Sequence, residues 1–308
     1  MELKQIRHFL AVAEAGSLGR AAQSLSISQP ALSKSIHRLE EGLKAPLFHR
    51  TPRGTSLTRF GLSFLDHARV MDLEARSAHA ELSAMLGGRR GDVTLGISPS
   101  MARYIVPIAA ARIFGAPGQC RLNIITGMVD DLIRRVHSGA LDVAICPLPA
   151  NFSDSEVEYR HLADEEMTVV AGGTHPLRRR RALQLQDLQA YDWILPSGAG
   201  SGRSALVRAF LNAGYEPPRS MVDTDSISFV YAFLGTTQFL SFLPRALLDV
   251  DRNARSLTVL RVAGQQWKRN LTAVYLKRAA LPPVCLRLIA EIHTVLVEQR
   301  GKAGRRSR

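Results

Sequence analysis

The N-terminal part of the chain carries three short runs in which apolar residues recur at helical spacing. The first run is apolar at the i, i+3, i+4 and i+7 positions of one helical face: Ile6, Phe9, Leu10 and Ala13. After Gly16, which can end a helix, the second run follows Ser17 with the same spacing: Leu18, Ala21, Ala22 and Leu25. The third run begins after Ser28 and has one apolar stripe: Leu32, Ile36, Leu39 and Leu43. Only Ser-Ile-Ser separates the last two runs, which predicts a helix-turn-helix packed on the first helix.

The side of the third helix opposite its apolar stripe is polar and mostly basic. It carries Pro30, Lys34, His37, Arg38 and Glu41, with Ser33 on its flank. Such a helix fits the major groove of DNA, where Lys and Arg meet guanine acceptors and Ser serves as donor or acceptor. An ordinary solvated helix face shows the same pattern, so the pattern alone leaves both interpretations open.

The stretch after the third helix predicts a β-hairpin. Two short extended runs at residues 47–50 and 55–58 flank Pro-Arg-Gly, which marks a tight turn. Arg50 and Arg53 lie near the tip of this hairpin. Such a hairpin is typical of a wing, whose arginines reach DNA phosphates or a narrow minor groove.

Residues 58–87 contain no proline and predict one long helix. Small or apolar residues recur there in alternating steps of three and four: Gly61, Phe64, Ala68, Met71, Ala75, Ala78, Leu82 and Met85. At about 1.5 Å per residue the helix is roughly 40 Å long, and its stripe needs a partner helix. A core helix within one globule carries the same pattern, but the length and the GGRRG end favour a dimerising linker.

From residue 92 onward, strand-like runs alternate with helical runs. The first set is DVTLGI, MARYIVPIAAARIF, RLNIIT, MVDDLIRRVHSG and LDVAIC. A second set starts near MTVVAGG and includes WILPSGAGSGRSALVRAFLNAG, SMVDTD, SISFVYAFLG and QFLSFLP, after which LTAVYLKR and VCLRLIAEIHTVLVEQ return to the first unit. This alternation predicts parallel strands joined by helical crossovers, in two α/β lobes. A cleft between two lobes is a usual place for a small ligand.

The chain of 308 residues has a formal net charge of +13, concentrated at a few places. Residues 1–60 hold nine Lys or Arg against four Asp or Glu, while the run at 178–181 and the tail at 301–308 add four each. A basic N-terminal unit indicates a nucleic acid partner rather than a membrane, and the run and the tail are interpreted as solvated surface. No apolar run approaches the roughly 20 residues that span a bilayer, and His8 and Glu14 interrupt a signal-peptide pattern. We therefore expect a cytoplasmic protein.

The sequence lacks the motifs of catalysis and metal binding. The three cysteines fit neither a disulfide framework nor a metal site, and we interpret them as buried apolar residues, with a redox pair as the alternative: Cys120, Cys146 and Cys285. The nine histidines show no metal-ligand spacing, and no G-x-S-x-G elbow is present. Asp130 and Asp131 stand at a helix start, where acids are stabilising, rather than as a catalytic pair. We therefore predict no enzyme, no cofactor and no metal site.

The glycine-rich stretch at residues 196–204 raises the question of nucleotide binding. It matches neither the P-loop pattern nor the Rossmann fingerprint, which disfavours a nucleotide. A small-anion site and a plain flexible loop remain the two alternatives.

Residues 9–61 resemble the DNA-binding end of LysR-type transcriptional regulators. The motifs that stand at the family's spacing are GSLGRAA, SQPALS, LE, PLF, R and LT. In the first effector lobe, the family's pattern of glycine, leucine and G-x-LD resembles the stretch TGMVDDLIRRVHSGALDVAI. With the linker helix, the resemblance covers essentially the whole chain. Leu18 stands where the family commonly has an aromatic residue, and Lys44 stands where it commonly has Gly. Val129 stands where many members carry a side-chain hydroxyl that contacts the ligand. LKAPL, RGTSLTRFG, SPS and GM are most similar to the branch that includes the toluenesulfonate-degradation regulator, which implies an aromatic acid or sulfonate effector.

By position, the resemblance implies two sets of site residues. The DNA-binding set is Ser28, Gln29, Pro30, Ser33, Lys34, His37, Arg38, Arg50 and Arg53. The effector-binding set, from three loops between the lobes, is Ser98, Ser100, Gly127, Met128, Val129, Ser197, Gly198 and Ser201. Exposed N–H groups at helix starts give an independent reason to expect an anionic ligand.

The resemblance also implies the architecture and the partners. The expected α/β fold has a winged helix-turn-helix (1–58), a linker helix (59–88), a two-lobed effector domain that resembles periplasmic binding proteins, and a basic tail (301–308). Lobe I of the effector domain is expected at 92–162 with 267–300, and lobe II at 163–266. The expected function is sequence-specific transcription regulation, with double-stranded DNA, a small anionic or aromatic effector, a second copy through the linker, a homotetramer and RNA polymerase as partners. The rival hypothesis is a solute-binding protein or enzyme with an incidental basic domain. The sequence has neither the export signal nor the catalytic motifs that this hypothesis would require.

Overall fold

The computed structural model describes residues 1–51, 54–85, 93–115, 120–149, 151–180, 182–197, 201–277 and 281–306. Its N-terminal unit contains three helices and a hairpin: α1 (Leu3–Ala15), α2 (Leu18–Ser24), α3 (Gln29–Leu43), β1 (Phe48–Thr51) and β2 (Gly54–Leu57). Buried side chains from all three helices, such as Phe9, Ala21 and Leu32, form its core. The predicted winged helix-turn-helix is therefore present.

Local chemistry explains where these helices begin and end. Gly16 has a left-handed backbone with φ of 61°, and its N–H donates to the Val12 carbonyl at 2.9 Å, which ends α1. Ser28 caps α3 as predicted, because its Oγ accepts a hydrogen bond from the Ala31 N–H at 3.4 Å. Ser17 holds the N-cap position of α2, although its side chain makes no cap hydrogen bond.

The long helix α4 (Arg59–Met85) is the element that the heptad pattern predicts, but its first half packs inside the chain. Ala68 is fully buried in the N-terminal core, and the Phe64 ring lies 5.1 Å from the Phe9 ring. A Cβ on Gly61 would lie 2.1 Å from the Leu47 carbonyl oxygen, so the backbones touch there. The prediction of one continuous stripe facing a partner helix is therefore wrong for its first four positions. Phe64, Ala68 and Met71 pack in the core of the N-terminal unit, to which α1 contributes, and Gly61 packs against Leu47.

The second half of α4 has a different environment. Leu73 is buried against the α/β part of the chain, and Ala75 is half-buried. Ala78 and Leu82 are exposed, and the side chain of Met85 lies outside the described residues. Of the stripe positions whose side chains are described, Ala78 and Leu82 are the exposed ones.

The remaining chain forms two α/β lobes. Lobe I contains β3 (Val93–Ile97), α5 (Val106–Phe114), β4 (Leu122–Thr126), α6 (Val129–His137), β5 (Val143–Leu148) and α10 (Pro283–Arg306). Lobe II contains β7 (Trp193–Leu195), α7 (Ser201–Asn212), β8 (Ser220–Asp223), α8 (Ile227–Thr236), β9 (Leu240–Pro244), α9 (Arg245–Val250) and β10 (Leu257–Leu260). Two long strands connect them, β6 (Val157–Gly172) and β11 (Trp267–Leu276), and short 3-10 turns lie at Met101–Arg103, Pro176–Arg179, Leu185–Leu188 and Arg252–Ser256.

The strands form one mixed sheet in the order β4-β3-β5-β11-β6-β9-β7-β8, with β10 paired to β6. The neighbours β3, β4 and β5 are parallel, as are β7, β8 and β9, which confirms the prediction from alternation. The prediction is wrong for β6 and β11, whose pairs are antiparallel, and the short strand β10, which was not predicted, also pairs antiparallel with β6. The reason is that β6 is a 16-residue strand that runs from one lobe to the other, across the boundary expected near residue 162, and β11 returns beside it.

The last helix, α10, packs on α5 and closes lobe I. Arg112 of α5 makes ion pairs of 2.7 Å with both Glu291 and Glu298 of α10. The helix continues to Arg306, so the backbone of the expected basic tail is helical up to that residue. Among the described residues, no helix combines the length and apolarity that crossing a membrane requires.

Candidate nucleic-acid interface and ligand cleft

Helix α3 presents an exposed polar face, and its opposite face is held in the core. Leu32, Ile36 and Leu39 are fully buried, which fixes the rotation of the helix about its axis. The structure places the α3 candidates on the outer face, all exposed except the partly buried Ser33: Ser28, Gln29, Pro30, Ser33, Lys34, His37 and Arg38. His37 lies 3.3 Å from Glu41 one turn later, so one acid accompanies the basic groups.

A buried histidine joins α1 to α3. His8 is 6% exposed, and its Nδ1 lies 2.7 Å from the Ser35 Oγ of α3. Burial, followed by the positive charge of Lys4, lowers the pKa of His8. His8 is therefore neutral near pH 7, and no sequence motif indicated its role.

Protonation of His8 is expected to destabilise the N-terminal unit. Because its folded pKa lies below the ordinary value of 6.5, the unfolded chain takes up the proton first. The contribution of neutral His8 to the free energy of unfolding is complete above pH 6.5. It is lost as the pH falls below 6.5 towards the pKa of His8 in the folded protein. In urea unfolding, we expect His8→Gln to lose less stability than the wild type between about pH 7.5 and 5.5, by up to about 1.4 kcal/mol. His175, whose pKa burial also lowers, is common to both proteins and cancels. Equal pH dependence in the two proteins would contradict this role.

Two polar residues outside the predicted set hold the wing in place. The Glu40 carboxylate accepts hydrogen bonds from the Leu47 and Phe48 N–H groups at 2.7 and 3.1 Å. Thr58 donates to the Pro46 carbonyl at 2.6 Å and accepts from the next helix, α4. Glu40 and Thr58 are the polar residues of the motifs LE and LT. Their place in these motifs is the sequence signal that could have identified them as functional residues.

Loss of the Glu40 carboxylate is expected to loosen the wing. Hydrogen bonds to a charged acceptor each contribute about 1.5–3 kcal/mol, and two backbone donors depend on this one. We expect Glu40→Ala to lower the free energy of unfolding by about 3 kcal/mol in urea titrations, the lower end of that range for two bonds. Glu41→Ala, at the neighbouring exposed position, is the matched control, with an effect within about 0.5 kcal/mol. Equal effects of the two variants would remove Glu40 from this role.

The hairpin packs on the turn between α1 and α2. The Thr55 N–H donates to the Gly16 carbonyl at 3.0 Å, and a Cβ on Gly54, which has φ of 138°, would lie 2.9 Å from that oxygen. Arg50 pairs with Thr55 through its backbone. The Arg50 side chain and the whole of Arg53 lie outside the described residues, so their contact with DNA stays a prediction.

A cavity lies between the two lobes, where predicted effector residues meet. Four of the predicted residues line it: Ser98, Ser100, Met128 and Val129. Gly127 lines an adjoining cavity, which it shares with Met128. Ser197 follows the lining residue Pro196, and its N–H donates to Asp225 at 3.0 Å. Gly198 and the side chain of Ser201 lie outside the described residues. Ser201 is the first residue of α7, and the next residue, Gly202, lines the cavity.

The buried cation of this cavity is Arg269 of β11, which no sequence motif indicated. Its Nε donates to Glu165 Oε2 at 2.5 Å, and its Nη2 donates to Ser100 Oγ at 2.9 Å. The two charged side chains are only 10% and 3% exposed. A guanidinium beside hydroxyl groups is the chemistry that binds a carboxylate or a sulfonate.

Two buried hydroxyl groups in the lining have no hydrogen-bond partner among the described residues, Ser98 Oγ and Ser241 Oγ. A buried polar group left unsatisfied costs about 1–3 kcal/mol, so a bound ligand or water is the expected partner. Much of the remaining lining is apolar, as with Met167, Val230 and Phe242. The cavity therefore suits a ligand with an apolar body and a polar group.

An ion pair crosses between the lobes beside the adjoining cavity. Arg103 of lobe I donates to Asp251 at 2.7 Å and to Ser228 at 3.3 Å, both in lobe II. Burial alone would raise the pKa of Asp251, but the hydrogen bond from Arg103 and further hydrogen bonds together lower it. Burial, and then the charge of Asp251, raise the pKa of the neighbouring Tyr231. Near pH 7 the pair stays charged and holds the lobes together.

Comparisons with known proteins match both the helix-turn-helix and the two-lobed part of the chain. The family model described as bacterial regulatory helix-turn-helix protein, lysR family, matches residues 3–62, and the LysR substrate binding domain matches residues 86–296. The HTH-type transcriptional regulator GbpR of Azospirillum brasilense is 31% identical over 262 residues, which cover 84% of this chain and 76% of GbpR. The SDS degradation transcriptional activation protein of a Pseudomonas species is 32% identical over 268 residues, 85% of each chain.

Solved structures show the same fold. A full-length OxyR variant of Pseudomonas aeruginosa superimposes with a TM-score of 0.74 at 21% identity, over 95% of this chain and 94% of that chain. CbnR in complex with its target DNA superimposes with a TM-score of 0.65 at 22% identity, over 96% and 100%. The predicted fold class is confirmed, and the relatives regulate transcription rather than catalyse reactions. Because the matches cover both the helix-turn-helix and the two lobes, the chain belongs to the LysR family of DNA-binding transcriptional regulators.

Proposed function

We propose that the protein regulates transcription in response to a small effector with an apolar body and an anionic group, bound between its lobes. The observation that carries this proposal is the buried Arg269 with the hydroxyl groups of Ser98, Ser100 and Ser241 in an otherwise largely apolar cavity. A guanidinium has five N–H donors, so an anion can join Glu165 and Ser100 around Arg269. One relative is named for the degradation of SDS, a molecule with an anionic head and an apolar body, in keeping with this chemistry.

On DNA, the exposed face of α3 would read the major groove while the wing contacts the backbone. Effector binding would shift the population between two arrangements of the DNA-binding units, which requires different effector affinities for the two. The predicted homotetramer and a contact with RNA polymerase belong to the same proposal, as does a place in the cytoplasm with the chromosome.

A thermal-shift comparison tests the effector class. Benzoate and benzenesulfonate are the anionic probes, and benzamide is the uncharged control of similar shape. An anion present at about 100 times its dissociation constant is expected to add about 2.7 kcal/mol of stability. We expect the stabilisation by the anion, measured as the rise in Tm, to be smaller in Ser98→Ala, Ser100→Ala and Ser241→Ala than in the wild type. Equal stabilisation by benzamide, or none by either anion, would overturn the assignment to an anionic aromatic effector.

The second half of α4 carries the proposed dimer contact. Ala78 and Leu82 are exposed and lie four residues apart, hence on one helical face. We expect Leu82→Glu to lower the mass measured by light scattering from dimer or tetramer towards monomer, because a charge would be buried in the seam. Leu62→Glu is the matched control, since Leu62 is 59% exposed and Leu82 is 61% exposed on the same helix. An unchanged mass for Leu82→Glu would count against the linker as the dimer interface.

A further inference from the structure

We propose that α6 transmits the state of the effector cavity to the DNA-binding unit within one chain, through its contact with Leu73 of α4. This inference rests on the proposed function of the cavity as the effector site, and it concerns how that site is coupled to DNA.

One end of α6 forms part of the cavity wall. Met128 is its N-cap residue and Val129 is its first residue, and both line the cavity. The helix is bound firmly to the sheet of lobe I, because Leu132 and Val136 are fully buried. A Cβ on Gly96 of β3 would lie 2.9 Å from the Leu132 side chain, so the helix packs directly on the strand. A ligand that displaces the start of α6 therefore moves the whole nine-residue helix, about 13 Å long.

The turn that follows α6 lies close to the linker helix α4. Leu73 of α4 is only 3% exposed and belongs to the same buried cluster as Leu132 and Val136 of α6. The turn after α6 passes over α4 at Gly139, which has φ of 62°. A Cβ there would lie 3.2 Å from the Arg69 carbonyl oxygen. The link between α6 and α4 is thus one buried side chain, Leu73, and one close backbone approach at Gly139.

The same turn of α4 contacts the DNA-binding unit. Asp72, next to Leu73, makes a 2.7 Å ion pair with Arg7 of α1. Ala68, about one and a half turns before Leu73, and Phe64, about two and a half turns before it, are packed in the core of the helix-turn-helix. Since α4 is a continuous helix, a shift imposed at Leu73 reaches α1 without passing through a flexible segment. Through α1 it reaches α3, which shares the core of the unit.

Coupling between two sites is reciprocal, so DNA binding must also change α6 if this route exists. The test is hydrogen–deuterium exchange of the full chain, with and without a DNA duplex from the region upstream of its own gene. In the wild type we expect amide exchange in residues 129–139 to differ by about fivefold or more between the two states. In Leu73→Ala we expect this difference to vanish while the DNA affinity stays within about threefold of the wild type, since Leu73 lies away from α3.

Three further proteins make the result specific. Leu73→Met conserves the volume and is expected to keep the difference. Leu73→Val, a smaller truncation, is expected to reduce it, and serves as the second variant where Leu73→Ala does not fold. Leu62→Ala, exposed on the same helix, is expected to behave as the wild type.

The outcomes separate the two proposals. A wild-type chain that does not bind the duplex overturns the proposed function itself. DNA binding with unchanged exchange in α6, or with the same change in the Leu73→Ala and Leu73→Val proteins, overturns the route through Leu73 and leaves the regulator proposal standing.

Discussion

Lys34→Ala is expected to weaken binding of the upstream duplex by about 10- to 100-fold at 0.15 M salt. Lys34 is exposed on the outer face of α3, where it can reach a base edge or a phosphate. Such contacts contribute about 1–3 kcal/mol each, and a factor of ten corresponds to about 1.4 kcal/mol. Fluorescence anisotropy with a labelled duplex measures the loss, and Ala is a good helix former, so α3 is expected to stay folded.

A matched variant separates this contact from the general attraction of a basic protein to DNA. Lys277→Ala removes the same charge from an exposed position just after β11, far along the chain from α3, and is expected to change the affinity less than threefold. A salt series adds a second readout, because losing a phosphate contact lowers the slope of log affinity against log salt by about one. Equal affinity of the Lys34→Ala and wild-type proteins would remove Lys34 from the interface.

The second large effect is expected for Arg269→Ala. Arg269 and Glu165 form a buried ion pair at 2.5 Å, and breaking such a pair from one side typically costs about 3–5 kcal/mol. We therefore expect the free energy of unfolding of the two lobes to fall by about 3 kcal/mol in urea titrations. The stabilisation by benzoate or benzenesulfonate should disappear as well, because the buried cation of the cavity is gone and the other lining cation, Arg203, is already paired with Asp223 at 2.9 Å.

Two controls distinguish the buried pair from a general effect of losing a charge. Lys268→Ala, at the exposed neighbouring position of β11, is expected to change stability by less than about 0.5 kcal/mol. Replacing both members of the pair, Arg269→Met with Glu165→Leu, is expected to recover much of the stability, since an apolar pair of similar volume avoids the desolvation cost. A loss below about 1 kcal/mol in Arg269→Ala would show that the pair does not stabilise β6 and β11, the two strands that connect the lobes.

Local patterns were sufficient to predict the N-terminal unit. The period of apolar residues, the cap at Ser28 and the turn at Gly16 are properties of neighbouring residues, and the structure has the helices and the hairpin at those places. The exposed set on α3 follows from the same periodicity, since burying Leu32, Ile36 and Leu39 leaves Lys34 and Arg38 outside.

The cleft was predicted only in part. Ser98, Ser100, Met128 and Val129 lie at the ends of elements that are visible in the sequence. Arg269 contacts Glu165 and Ser100 across 104 and 169 residues of chain, so no local spacing records the contact. Ser241 lies inside an apolar run, where a single hydroxyl has no distinguishing pattern.

By itself, the sequence determined the helix-turn-helix, its basic face, the alternation of strands and helices, and the family, because each depends on short-range periodicity or on dense local motifs. The tertiary structure decided what the apolar stripe of α4 packs against, since an apolar surface in the same chain satisfies it as well as one in a partner. It also decided that β6 and β11 run antiparallel between the lobes, and that their side chains place a buried ion pair in the cleft. Those outcomes depend on contacts between residues far apart in the chain, whose energies appear only once the elements are packed together.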